Sequence, residues 1–102
     1  MIASLHIGGL FAIGFDELCK YMITVSHSGR GVYEVEGWNK VARDLTVVYP
    51  MNGEIRGIGP LENIIIKVQG KDCDADKLSG KSPDGKYIFE YDDGILAIRG
   101  GV

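Results

Sequence analysis

The residues whose types could carry chemistry are few: two histidines, two cysteines and a run of aspartates. His6 and His27 would suit acid–base work if folding brought them together, as in a ribonuclease-like pair. Such a site also needs a cation to hold phosphate, and no Lys or Arg cluster accompanies either histidine along the chain. Ser26-His27-Ser28 places a base between two nucleophiles, but neighbours on a strand point to opposite faces, and no acid is positioned to orient His27. The serines are expected to cap a turn.

Asp72, Asp74 and Asp76 recur at alternate positions, like the opening of a calcium loop. That pattern needs glycine at its sixth position and glutamate at its twelfth. Lys77 and Pro83 stand there, so no tight calcium site is expected. Cys19 and Cys73 are far apart, form no C-x-x-C unit, and with two distant histidines do not make a zinc set. Gly57-Ile58-Gly59-Pro60 has neither the glycine spacing nor the lysine of a phosphate loop. The expectation is a protein with no catalytic residues, no metal and no cofactor: a non-enzyme.

Charge points elsewhere. Eleven Lys and Arg against fourteen Asp and Glu give a formal net charge of −3. Nucleic-acid binders present a basic stripe, so this balance argues against one. Between Asp72 and Asp93 the acids Asp72, Asp74, Asp76, Asp84, Glu90, Asp92 and Asp93 face only Lys77, Lys81 and Lys86. Such an excess steers a basic partner. Aromatic residues beside the acids are the natural anchors of an interface. The expected partner-binding residues are therefore Glu34, Glu36, Trp38, Glu90, Tyr91, Asp92 and Asp93.

The elements that must position these residues read as strands. Most apolar runs are short, β-branched or aromatic, and bounded by Gly, Pro, Asn or Asp. In 10–15 the alternation puts Phe11, Ile13 and Phe15 on one side. Tyr21 to Ser26, Val32 to Glu36 and Val41 to Tyr49 follow, the second with Tyr33 and Val35 inward and Glu34 and Glu36 outward. Pro50-Met51-Asn52-Gly53 carries the Asn-Gly signature of a type I′ turn. Glu54 to Ile58 is a short strand, and Ile64 to Val68 is the most apolar, expected at the centre of its sheet. The stretch 70–85 reads as the longest loop. Lys86 to Tyr91 and Ile95 to Arg99 form a hairpin around Asp92-Asp93-Gly94, a three-residue G1-bulge connection. No window carries a helical period.

Together these predict one all-β domain over residues 1–102, a small antiparallel β-sandwich or strongly curled sheet of about eight strands with little or no helix. The predicted core contains Phe11, Ile13, Phe15, Ile23, Val25, Tyr33, Val35, Val47, Ile64, Ile66, Phe89 and Ile98. The text around 82–98 resembles a strand-turn-strand piece of a propeller blade, but 102 residues cannot supply four blades of roughly 40 residues. No apolar stretch reaches the roughly 18 residues of a spanning helix. The N-terminus has no basic segment ahead of its apolar residues, so a cytoplasmic protein is expected.

The functional expectation is a protein-binding module. Its most concrete form is a small acidic inhibitor, an immunity-type protein that neutralises a basic toxin enzyme such as a nuclease. The alternatives are a small enzyme or ligand-binding β domain, and a subunit of a larger β assembly or homodimer joined through an edge strand such as Ile64 to Val68.

Overall fold

The computed structural model describes residues 3–27, 29–45, 53–70 and 78–101. Ten strands occur among them: β1 (Ala3–His6), β2 (Leu10–Phe15), β3 (Tyr21–Ser26), β4 (Gly29–Glu34), β5 (Lys40–Asp44), β6 (Glu54–Arg56), β7 (Ile65–Gly70), β8 (Leu78–Lys81), β9 (Tyr87–Asp92) and β10 (Ile95–Gly100). One 3-10 turn, Gly59–Leu61, joins β6 to β7. The fold is all-β, with a four-stranded sheet in the order β1-β10-β9-β8 and a six-stranded sheet in the order β5-β4-β3-β2-β7-β6. Every strand-to-strand ladder is antiparallel.

The two sheets pack face to face over one apolar layer. Leu10, Ile13, Phe15, Met22 and Tyr33 come from the six-stranded sheet, and Leu78, Phe89, Tyr91, Leu96 and Ile98 from the four-stranded one. A second cluster of Ala12, Ile23, Val25, Val32, Ile55, Leu61 and Ile66 fills the opposite face of the six-stranded sheet. That sheet curls until its ends meet. The 3-10 turn beyond β6 touches β5, and the Arg30 guanidinium on β4 donates to the carbonyl of Arg56 on β6 at 3.0 Å. Gly14 lies inside the curl, where a Cβ would sit 2.6 Å from the Lys67 carbonyl oxygen; only glycine permits this approach. The sandwich and the curled sheet expected from the sequence are therefore both present in one fold.

Two β-bulges reset the side-chain alternation. One lies between Leu10 and Ala12 in the β2–β3 ladder, the other between Val32 and Tyr33 in the β4–β5 ladder. The first makes Leu10 share a face with Ile13 and Phe15, while Phe11 turns to the opposite cluster and remains half-buried. Of the predicted core, Ile64 is exposed at 44%, Val47 lies outside the described residues, and the other ten are buried or half-buried.

Three further local expectations change. β8 falls inside the stretch expected to be loop, because Leu78 packs in the core and the strand pairs with β9. The hairpin connection has two residues, since Asp92 pairs with Ile95 and both Asp93 and Gly94 have positive φ, 51° and 80°. That is type I′ chemistry and not a G1 bulge. The Ile64–Val68 segment is not a free edge: β6 pairs with residues 65–67, and β2 with residues 68–70. The Asn52-Gly53 turn and the Asp72, Asp74, Asp76 loop with Cys73 and Lys77 fall at or within stretches outside the described residues.

Candidate functional site

The seven expected partner-binding residues do not form one face. Glu34, Glu36, Glu90, Asp92 and Asp93 are exposed, but they stand at different ends of the sandwich. Trp38, two residues after Glu36, sets its ring edge-on to Tyr87 at 5.3 Å. Tyr87 opens β9 and Asp92 closes it, so Glu34 and Glu36 are separated from the hairpin tip by about 17 Å of strand.

The two expected aromatic anchors, Tyr91 and Trp38, are both buried. Tyr91 is 4% exposed, and its hydroxyl donates to the Ile7 carbonyl at 2.6 Å while accepting from the Leu10 amide at 3.2 Å. It belongs to the core because inward positions alternate along β9, placing Tyr87, Phe89 and Tyr91 on the covered face. Trp38 is also buried, in a left-handed conformation at φ 57°, and its Nε1 has no hydrogen-bond partner among the described residues.

The residues weighed for catalysis separate as well. His27 is exposed and lies 5.2 Å from the Phe11 ring, while the Ser26 hydroxyl donates to the Gly29 carbonyl; Ser28 is outside the described residues. His6 lines a different cleft, together with Lys40 and Arg43, a pair of cations not apparent from their spacing along the sequence.

Cys19 sits at φ 54° in the β2–β3 turn, on the wall of a cleft of about 410 Å³ that also takes in Glu34, Glu36 and Asp84. Burial pushes its thiol above the ordinary value of 9.0; a backbone hydrogen bond at Asp84 opposes this, and the carboxylates of Asp84 and Asp16 reinforce it. The sulfur is held as a neutral thiol, unsuited to nucleophilic work at neutral pH. Asp84 itself accepts from the Ser82 hydroxyl at 2.7 Å and the Lys86 amide at 3.0 Å, which together hold its carboxyl below the ordinary value of 3.8. Its role is to fix the β8–β9 turn.

The most suggestive surface lies along β7, in the Ile64 to Val68 segment that the sequence offers for strand pairing. β2 pairs with β7 only as far as Gly14–Val68, leaving the first half of β7 without β2 alongside it. On the other side, the Val68 amide donates to Gly53 and the Ile64 carbonyl accepts from Gly57, so the even-numbered residues bond toward β6. By alternation the N–H and C=O of Ile65 and the N–H of Lys67 point the opposite way, into a groove of about 690 Å³, while the Lys67 carbonyl lies against β2 beside Gly14. Its walls carry Phe15, Leu18, Ile64 and Ile65, of which Leu18 is 71% and Ile65 57% exposed, with Asp16 and Glu17 at the rim. The signal was available: three consecutive isoleucines cannot all face one core in an alternating strand.

No protein-family model, curated protein or solved structure matches this chain.

Proposed function

We propose that the protein is a protein-binding module that takes an extended segment of a basic partner along the open half of β7. The observation that carries this reading is the groove itself. Exposed backbone groups of a strand offer hydrogen bonds to an incoming strand, and apolar walls offer places for its alternate side chains. Contiguous apolar exposure of this kind marks interaction surfaces. Asp16 and Glu17 at the rim, against Lys67 alone, favour a positively charged segment.

The exposed acids at the two ends of the sandwich act at longer range. Glu34 and Glu36 at one end, and Glu90, Asp92 and Asp93 at the other, add to a chain of net charge −3. They raise the encounter rate with a basic partner without needing to touch it, over distances of about 10 Å at 0.1 M salt. In its most concrete form the partner is a basic toxin enzyme such as a nuclease, and the protein is the immunity-type inhibitor that neutralises it. Charge supports this finer reading: an acidic protein can occupy a surface built to hold phosphate backbones.

The test is a selection of random linear peptides against the chain, followed by amide-shift mapping. Recovered peptides are expected to alternate apolar residues with Lys or Arg and to move the Ile65 and Lys67 amides. Ile65→Pro removes only the amide directed into the groove and should abolish binding while the fold persists. Failure to enrich any peptide, or shifts mapping away from β7, would overturn the groove reading. For the inhibitor reading, an equimolar amount of the protein should silence a toxin domain encoded beside it.

A further inference from the structure

We propose that the cleft between the end of β1 and the β4–β5 edge is a binding site for a small phosphate-type dianion. It shares no lining residue with the β7 groove and involves the β4–β5 end of the six-stranded sheet. Its volume is about 200 Å³, large enough for a phosphoryl group and a short substituent and too small for a nucleotide.

The floor of the cleft is Gly31. In the ladders Thr24 pairs with Gly31 and Gly31 with Arg43, so these three share a face on which Gly31 contributes no side chain. A Cβ there would lie 3.3 Å from Thr24 Oγ1, 3.5 Å from the Tyr33 ring and 3.8 Å from Lys40 Cε. Three polar side chains thus close in over Gly31, the Thr24 hydroxyl donating to the Gly31 carbonyl at 3.3 Å, and Arg43 stands beside them.

The β5 bulge creates this arrangement. Lys40 pairs with Tyr33 and Arg43 with Gly31, and the extra residue, Val41, brings positions of opposite parity onto one face. Lys40 Nζ lies 5.5 Å from the Tyr33 ring centroid, which holds the ammonium over the cleft side of the strand.

Charge and hydrogen bonding agree. Among the described residues neither Lys40 nor Arg43 has a carboxylate within ion-pair distance. Asp44, the acid in the cleft lining, is neutralised by Arg30, which lines the same cleft. Tyr33 is 6% exposed, and its hydroxyl makes no hydrogen bond among the described residues. The ring is buried while the hydroxyl reaches the cleft surface, since among the described residues the buried side-chain polar atom without a partner is Trp38 Nε1. Two uncommitted cations and an uncommitted phenol around a side-chain-free floor are the elements of an oxyanion site, in a protein whose net charge is negative.

Titrating the isotope-labelled chain with inorganic phosphate at constant ionic strength, while following the Gly31 amide, tests this. A saturable shift is expected, weakened about tenfold by Lys40→Gln and again by Arg43→Gln, as for loss of one charge-assisted contact each. Gly31→Val should abolish it by filling the floor, with circular dichroism as the folding control. No saturation, affinity unchanged in both glutamine variants, or an equal response to acetate would overturn the proposal. Glycerol 3-phosphate run in parallel decides the source: tighter binding than the inorganic ion assigns the site to a phosphomonoester, and weaker binding to free phosphate.

Discussion

Removing one oxygen from Tyr91 separates its role as a core pin from the interface role its sequence position suggests. In Tyr91→Phe the ring keeps its packing against the apolar layer between the sheets. What is lost is a pair of hydrogen bonds, at 2.6 Å to the Ile7 carbonyl and 3.2 Å from the Leu10 amide. Leu10 is fully buried, so its amide is left without this acceptor in a place water does not reach. A net loss of about 1 kcal/mol for each bond, with a further penalty for the stranded donor, gives roughly 2–3 kcal/mol. For a domain of this size that is a fall in Tm of roughly 10–20 °C. The assay is a urea melt followed by fluorescence of the single tryptophan, Trp38, which is buried against Tyr87 and exposed on unfolding. The midpoint should drop with its slope unchanged. Tyr87→Phe is the control, because no hydrogen bond of the Tyr87 hydroxyl is present among the described residues; it should cost under about 0.5 kcal/mol. A Tyr91→Phe midpoint within error of the control would refute the account of Tyr91 as the tie between β9 and the β1–β2 connection.

The neighbours Ile65 and Ile66 should part company in denaturant melts: Ile66→Ala, at a 2% exposed position, should cost about 2–5 kcal/mol, and Ile65→Ala, at 57% exposure, under about 1 kcal/mol. The lowered carboxyl of Asp84 stabilises its turn above the ordinary value of 3.8, and that contribution is lost as the pH falls through the lowered value. An acid titration should therefore leave Lys86 amide exchange slow to below pH 3.8 and then speed it, and Asp84→Ala should make it fast at neutral pH. Cys19, with its thiol raised above 9.0, should react with a thiol reagent at pH 7 far more slowly in the folded chain than in urea; equal rates would contradict its burial. Reversing Asp92 and Asp93 to lysine should cost about 1 kcal/mol in the melt, because Asp93 holds φ 51° in the turn, yet leave the domain folded, and it should slow and de-salt-sensitise association with a basic peptide held in the β7 groove.

Much of the fold follows from short-range chemistry that sequence displays directly. Alternation in Tyr21 to Ser26, the glycines and aspartates that close each run, and the absence of a helical period are local properties. They suffice for an all-β fold, for β3, β9 and β10, and for a core around Ile23, Val25, Phe89 and Ile98. The outward direction of Glu34 and Glu90 follows from the same parity. What the local pattern does not contain is the bulge. One inserted residue at Phe11 moves Leu10 into the layer between the sheets, and one at Val41 sets Lys40 and Arg43 side by side. Neither is encoded as a break in hydrophobicity, because a bulge depends on the partner strand as much as on its own residues. Register between distant strands likewise decides which polar atoms meet. Tyr91 is a core residue because Ile7 and Leu10, more than 80 positions away, arrive to bond its hydroxyl. The β7 groove exists because β2 turns away after Phe15 while β7 begins at Ile65, a mismatch of two strand ends that no single segment specifies. Sequence determined most of the strands, though not β8, and the sign of the net charge; only the tertiary pairing decided where the acids, the cations and the open backbone stand relative to one another.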